Sequence, residues 1–315
     1  MTLRRSASSG HLQRWVEYAV DEEPLICTRT RAVNTLTPPS FAVPLNACDA
    51  HVHVFGPLAR YRPVPHPHYT LPDGDLGKLD AMARALQLQR FVIVQPSFYG
   101  TDNSCMLDAL DLARDRARGV AMVEEDVSDT ELAELGARGV HGLRLDLFKR
   151  AELRTGEVFE YIVRSGRQAQ KLGWHLQFYV PGGVVRDLVP YLGDLDVDFV
   201  IDHMGYMLES DGLTRSDFDR LLDVMQRGCG WLKLSGFYRV AKDGNFAKLK
   251  PLAKATVDAL PGRTIWGSDW PHIPDGGRDS GELLNLLGNW VPDQSARRRI
   301  LVDNPARLFG FRTEV

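Results

Sequence analysis

From residue 47 onward, short apolar runs alternate with stretches in which apolar positions recur every three or four residues. The runs read as strands buried on both faces and the longer stretches as helices with one buried side. Their alternation marks βα units around a parallel sheet. Strands are expected at 47–54, 90–95, 119–123, 142–147, 174–179, 198–202, 230–234 and 263–267. Eight evenly dispersed strands predict a closed α/β barrel, the (β/α)8 or TIM barrel, rather than an open sheet. Between them Leu76, Leu79, Met82, Ala83 and Leu86 fall at helical spacing, and Ser128-Asp129-Thr130-Glu131 has the form of a capping box. Further helices are expected at 159–170, 184–191, 217–225 and 246–260.

Residues 1–45 lack this rhythm and end in the loop chemistry of Pro38-Pro39. They read as an N-terminal extension, with one short helix near 12–19, ahead of a single barrel domain at 46–315. The loop at 56–74 is long and rich in proline and aromatic residues, a composition that suits a binding loop over the mouth of a barrel.

Composition adds mostly exclusions. With 44% hydrophobic and 25% charged residues and a formal net charge of -3, the chain has no basic excess to attract nucleic acid. No apolar run approaches the roughly 20 residues that span a bilayer, and the basic start has no apolar core of the signal-peptide kind. A cytoplasmic protein with a small-molecule partner is the expectation, as monomer or homo-oligomer. Cys27, Cys48, Cys105 and Cys229 show no Cys-x-x-Cys spacing, so they are expected to be reduced thiols.

Barrel enzymes place their chemistry at the C-terminal ends of the strands. There this sequence puts His51 and His53, two residues apart and so on one face of a strand. The other expected strands end near Ser97, Arg144 with Arg150, Gln177 with Tyr179, Asp202-His203, Ser235 with Arg239, and Asp269 with His272. His175 begins its strand and belongs to the lower face, where residues serve stability. Several arginines about one mouth suit an anionic, dicarboxylate ligand, because the planar guanidinium binds carboxylate bidentately and stays charged.

The stretches Asp49-Ala-His51-Val-His53-Val-Phe-Gly-Pro57, Val94 to Asn103, Gly142-Leu-Arg144 through Arg150, Asp202-His203-Met-Gly205, Gly267-Ser-Asp269-Trp-Pro-His272 and Asn304 to Gly310 carry a family likeness. Over about 49–311 the chain resembles the amidohydrolase superfamily, amidohydrolase 2 type, and within it the 2-pyrone-4,6-dicarboxylate lactonase branch. The resemblance implies a hydrolase that opens a carboxylated lactone ring by Asp-activated water. It implies that His51, His53 and His203 engage the scissile carbonyl and that Asp269 takes a proton from water. Tyr69, Ser97, Arg144, Arg150, Tyr179, Arg239 and His272 stand at substrate-binding positions.

A metal is not required on this reading. Arg144 occupies the fourth-strand place where a binuclear site has its bridging ligand, and Gln177 and Tyr179 stand where the fifth strand would offer a histidine. The alternative is one divalent ion, Zn or Mn, on His51, His53, His203 and Asp269. Without metal, at least one of the three histidines is expected to be protonated in turnover, with a pKa shifted up by Asp269. Two other readings stay open at this stage, a mononuclear metal-dependent decarboxylase on the same barrel and a non-catalytic binding protein.

Overall fold

The computed structural model describes residues 36–312 apart from 66, 68, 70, 209–211 and 275. The helix expected at 12–19 lies outside the described residues. Leu36–Val315 forms one compact unit. Its eight strands are β1 (Cys48–Val52), β2 (Arg90–Val94), β3 (Ala117–Ala121), β4 (Val140–Asp146), β5 (His175–Tyr179), β6 (Phe199–Ile201), β7 (Gly230–Leu234) and β8 (Thr264–Trp266). They pair in parallel in sequence order, as the alternation of apolar runs and helical stretches predicts.

Closure between β8 and β1 is made just beyond the regular ladder. The Asp269 N–H donates to the His51 carbonyl at 2.9 Å, and the His53 N–H donates to the Trp270 carbonyl at 2.8 Å. The Asp49 carboxylate adds a side-chain stitch, accepting from the Ser268 N–H at 2.9 Å and the His51 N–H at 3.1 Å. Gly267 lets the strands approach this closely, since a Cβ there would lie 2.5 Å from the His51 Cβ.

Inside the barrel Cys48, Ala50, Val92, Val94, Val120, Val200, Trp231 and Ile265 form one apolar cluster, sealed below by Leu308, Phe309 and Phe311. Val52 belongs instead to the cluster between strands and helices. Cys48 and Val52 are an even number of residues apart and in a regular strand would share a face. The register slips by one residue between Asp49 and Val52, and this bulge turns His51 and His53 to the interior.

The outer ring includes α1 (Leu76–Ala85), α2 (Ser104–Ala113), α3 (Asp129–Ala137), α4 (Thr155–Gln170), α5 (Gly182–Leu192) and α6 (Arg215–Arg227). The capping box expected at Ser128 and Glu131 is formed at the start of α3. A single helix at 246–260 is not. A 3-10 turn at Phe246–Leu249 precedes a helix at Lys250–Ala259, whose first turn contains Pro251. Proline lacks the N–H that a continuous helix needs at that point and fits a helix start. Among the helices not assigned from the sequence are α2 and one at Ser280–Trp290. Asp279 caps the latter and also accepts from the Thr37 N–H at 2.9 Å, which ties residues 36–45 to this side of the barrel. Among the described residues no helix is long and apolar enough to cross a membrane.

Candidate active site

β1, β6 and the turn after β8 bring His51, His53, His203 and Asp269 together at the upper end of the barrel. The rings of His51 and His53 are 5.0 Å apart and those of His51 and His203 4.9 Å. Asp269 Oδ1 lies 3.6 Å from His51 Nε2 and 3.5 Å from His53 Nε2, and all four side chains are buried. His203 and Asp269 both hold a positive φ, 52° and 62°, which non-glycine residues rarely adopt. Backbone strain of this kind clusters at functional sites.

Each group has a defined partner on its other side. Asp269 Oδ2 accepts from the Tyr238 hydroxyl at 2.6 Å and from the Arg239 Nε, whereas Oδ1 has no hydrogen-bond partner among the described residues. Burial alone would raise the Asp269 pKa, but Arg239, His203, His53 and His51 outweigh it and hold the carboxyl well below the usual range. His53 Nδ1 lies 2.8 Å from the Val94 carbonyl, which can only accept, so the Nδ1 proton is fixed and neutral His53 shows a lone pair at Nε2.

His203 Nδ1 lies 2.9 Å from Ser235 Oγ, which already accepts from the His203 backbone N–H at 3.3 Å. With one lone pair taken by that N–H, the serine hydroxyl can give its proton to Nδ1, the arrangement that puts the ring proton on Nε2. Gly236, at φ +56°, makes room for this ring, because a Cβ there would meet His203 Nδ1 at 2.4 Å.

Beneath the histidines lies a buried network that the sequence reading did not assign a role. Lys233 Nζ is 3.0 Å from Asp202 Oδ1 and 3.3 Å from His51 Nδ1, and Gln177 Nε2 donates to Asp202 Oδ2 at 2.9 Å. Asp202 Oδ1 is itself 3.4 Å from His51 Nδ1, so lysine and carboxylate compete for that nitrogen. Accepting from Lys233 puts the His51 ring proton on Nε2, whereas donating to Asp202 leaves the lone pair there. A lysine at an interior position of the strand Gly230–Leu234 is the signal that could have found it, since lysine is almost never fully buried unless paired. Tyr238, one residue before Arg239, carries no comparable signal.

The remaining candidates divide. Tyr69, Tyr179, Arg144 and Arg239 surround the mouth. Burial pushes the Tyr69 hydroxyl up to about 12 while Arg144 and Arg239 pull against it, and the Arg144 guanidinium lies over the Tyr179 ring at 4.7 Å. Ser97 donates to Asp146 Oδ2 at 2.7 Å. Arg150 is drawn away, pairing with Glu125 at 2.8 Å and lying over the Tyr161 ring at 3.9 Å. His272 sits behind Asp269 with Nε2 3.2 Å from Ser280 Oγ, and burial lowers its pKa to about 4.

The expected upward shift of a histidine is reversed. Burial lowers His51 and His53, and brings His203 to about 4, in spite of the neighbouring aspartates. In such interiors the desolvation of the imidazolium outweighs a carboxylate 3.5 Å away. By distance, two trios could hold a metal ion: His51, His53 and Asp269, and His51, Asp202 and His203, with ligand atoms within 4.8 Å of one another in each.

Known proteins share this arrangement of chain. The 4-sulfomuconolactone hydrolase of Hydrogenophaga intermedia is 33% identical over 307 residues, covering 93% of this chain and 97% of that one. The 2-pyrone-4,6-dicarboxylate hydrolase of Comamonas testosteroni is 34% identical over 283 residues, covering 86% and 92%. A crystal structure from Acinetobacter baumannii, described as a probable 2-pyrone-4,6-dicarboxylic acid hydrolase with citric acid bound, aligns with a TM-score of 0.71 at 28% identity, covering 85% of this chain and all of that one. The amidohydrolase family model matches residues 48–311. That span begins at the strand carrying His51 and ends at the phenylalanine that seals the barrel floor, and so takes in every residue of the site: this chain belongs to the amidohydrolase family.

Proposed function

We propose that this chain opens the ring of an anionic lactone by attack of water. The observation that carries the reading is Asp269, a buried carboxylate with one oxygen held by Arg239 and Tyr238 and the other, opposite His51 and His53, without a hydrogen-bond partner among the described residues. Asp269 Oδ1 and the lone pair of His53 Nε2 are two acceptors 3.5 Å apart, an arrangement that suits a water molecule donating to both. The water oxygen bonds to the lactone carbonyl carbon and its proton passes to Asp269. The ring C–O bond then breaks, and the proton goes on to the departing ring oxygen. His51 and His203, each carrying its proton on Nε2, stabilise the oxyanion as neutral donors. No histidine has to be protonated for this. A carboxylate held so low is a weak base, which suits an ester activated by conjugation. Arg144 receives the anionic group of the substrate.

On this reading the reaction requires no metal. One divalent ion would sit on His51, His53, His203 and Asp269 and would lower the pKa of its bound water to about 7. It would need a lone pair at His51 Nε2, which the ring offers only when Nδ1 donates to Asp202 instead of accepting from Lys233. A decarboxylase on the same barrel finds no support on β5, where Gln177 is engaged with Asp202.

The test is hydrolysis of a panel of carboxylated lactones before and after exhaustive chelation, with metal content measured on the same preparation. Ring opening that survives chelation is expected. Loss of activity restored by Zn²⁺ or Mn²⁺ would replace the metal-free mechanism, and no ring opening at all would remove the lactonase reading.

A further inference from the structure

His51 stands at the centre of the site, yet what it can do there is decided on its far side. Its Nε2 faces Asp269 Oδ1 at 3.6 Å and has no hydrogen-bond partner among the described residues, and its ring is common to both trios that could hold a metal ion. An imidazole with one proton offers a donor at one nitrogen and a lone pair at the other. A proton on Nε2 makes His51 a donor to an oxyanion, and a proton on Nδ1 makes it a ligand for a cation. The choice falls to whatever meets Nδ1, which is Lys233 on one side and Asp202 on the other.

The surroundings favour the lysine. The contact between Lys233 Nζ and Nδ1, at 3.3 Å, has the geometry of a hydrogen bond, whereas Asp202 Oδ1, at 3.4 Å, makes none with that nitrogen. Lys233 and Asp202 are both fully buried with Nζ 3.0 Å from Oδ1, a pairing that holds the lysine as an ammonium. An ammonium carries three protons and no lone pair, and among the described residues its partners are His51 Nδ1 and Asp202 Oδ1. A proton on Nδ1 would aim an N–H at the ammonium and take from it one of those two acceptors, in an interior where an unmade hydrogen bond is costly. Asp202 loses less by the opposite choice, since Oδ2 still accepts from Gln177 at 2.9 Å and Oδ1 keeps its ion pair with Nζ. With no exposed surface, Lys233 acts through His51 and not on the substrate.

We propose that Lys233 is a positioning residue that holds the His51 proton on Nε2, which makes His51 an oxyanion donor and withholds it from a divalent cation. Without the ammonium, His51 would turn its proton to Asp202 at Nδ1 and offer Nε2 as a ligand, the carboxylate–histidine–metal arrangement by which zinc sites orient their imidazoles. The role of the donor rests on the lactone-hydrolase reading; the position of the proton rests on the geometry beneath His51 alone.

The experiment is long-range proton–nitrogen NMR of the histidine side chains in the nitrogen-labelled full chain after exhaustive chelation, with His51 identified by the signals lost in His51→Asn. A ring nitrogen that bears a proton resonates well upfield of one that does not. In the wild type the bare nitrogen is expected to be Nδ1, and a bare Nε2 overturns the proposal, whether or not any variant folds. In Lys233→Met, which keeps a long side chain and loses the charge, the bare nitrogen should move to Nε2. Affinity for Zn²⁺, measured by calorimetry, should then rise about 10- to 100-fold over the wild type. In the chelated variant kcat on a carboxylated lactone should fall about 10²-fold, the cost of one oxyanion donor, with KM within about threefold of the wild type. A gain in Zn²⁺ affinity with the bare nitrogen still at Nδ1 would show charge alone at work and overturn the proposal, as would a folded variant whose spectrum and Zn²⁺ affinity match the wild type. If the wild type opens no lactone, the hydrolase reading fails, and the NMR and Zn²⁺ measurements still decide the role of Lys233.

Discussion

The barrel buries a histidine at each end, His175 at the floor and His203 at the mouth. Burial is the main cause in both cases of a lowered pKa, to about 3 for His175 and about 4 for His203. Their surroundings differ in kind. His175, the first residue of β5, meets Phe309 edge-on at 5.1 Å, and neither ring nitrogen has a hydrogen-bond partner among the described residues. His203 is held by Ser235 and lies 4.9 Å from His51, with Tyr179 and Tyr206 edge-on at 6.1 and 5.7 Å. A depressed pKa therefore does not separate chemistry from packing here. What separates them is whether several polar groups converge on one unfilled point, as Asp269 Oδ1 and the three histidines at the mouth do.

The strongest way to break this comparison is to neutralise one group at each end. Asp269→Asn keeps the shape of the side chain and loses its basicity, so kcat is expected to fall by about 10² to 10⁴ in a folded protein. His175→Leu should leave kcat/KM at the wild-type level and act on the melting temperature alone, because the ring packs edge-on against Phe309 and neither of its nitrogens has a hydrogen-bond partner among the described residues. Equal losses of turnover in the two variants would show that the floor takes part in the reaction.

A second pair of variants sharpens the comparison within the mouth. Arg144 is buried and has no carboxylate partner among the described residues, so Arg144→Met should raise KM for a carboxylated lactone by about 10- to 100-fold, with kcat less affected. Arg150 is held by Glu125 in a half-exposed ion pair, and pairs of that kind contribute only about 0.2–1 kcal/mol, so Arg150→Met should change KM by less than about fivefold. A large KM effect at Arg150 would mean that it leaves Glu125 when substrate arrives.

How far the sequence foretold this arrangement can be judged from particular residues. All eight strands overlap those expected, because buried parallel strands are short apolar runs bounded by loop chemistry, and the shift of one or two residues at their ends does not move the barrel. The four residues that meet at the mouth were also within reach, since a strand end in such a barrel has a known direction. The bulge that turns His51 inward was not, because a register slip is fixed by the neighbouring strand and leaves no local trace. Nor were the partners: that Arg150 would meet Glu125, Ser97 would meet Asp146, and Lys233 would lie under His51 depends on residues 25, 49 and 182 positions apart in the chain. Charge type is written in the sequence, but who cancels whom is decided by packing.

Asp49 offers the cleanest test of whether a buried titrating group at the barrel seam serves stability rather than chemistry. Burial raises its carboxyl from 3.8 to about 7, against the restraining N–H groups of Ser268 and His51. Between those two values the folded protein holds a proton that the unfolded chain has released, so this group lowers stability progressively as pH rises from about 4 to about 7. Asp49→Asn keeps an acceptor for both N–H groups and cannot ionise, and any fixed cost of its amide is the same at every pH. The variant should therefore gain on the wild type by about 1–3 kcal/mol between pH 5 and pH 8, read as the difference between two urea melts at each pH. A gap that does not move with pH would mean that Asp49 is ionised in the fold from pH 5 upward. A gap that moves the other way would mean that the seam stabilises the charged carboxylate, as the mouth does for Asp269.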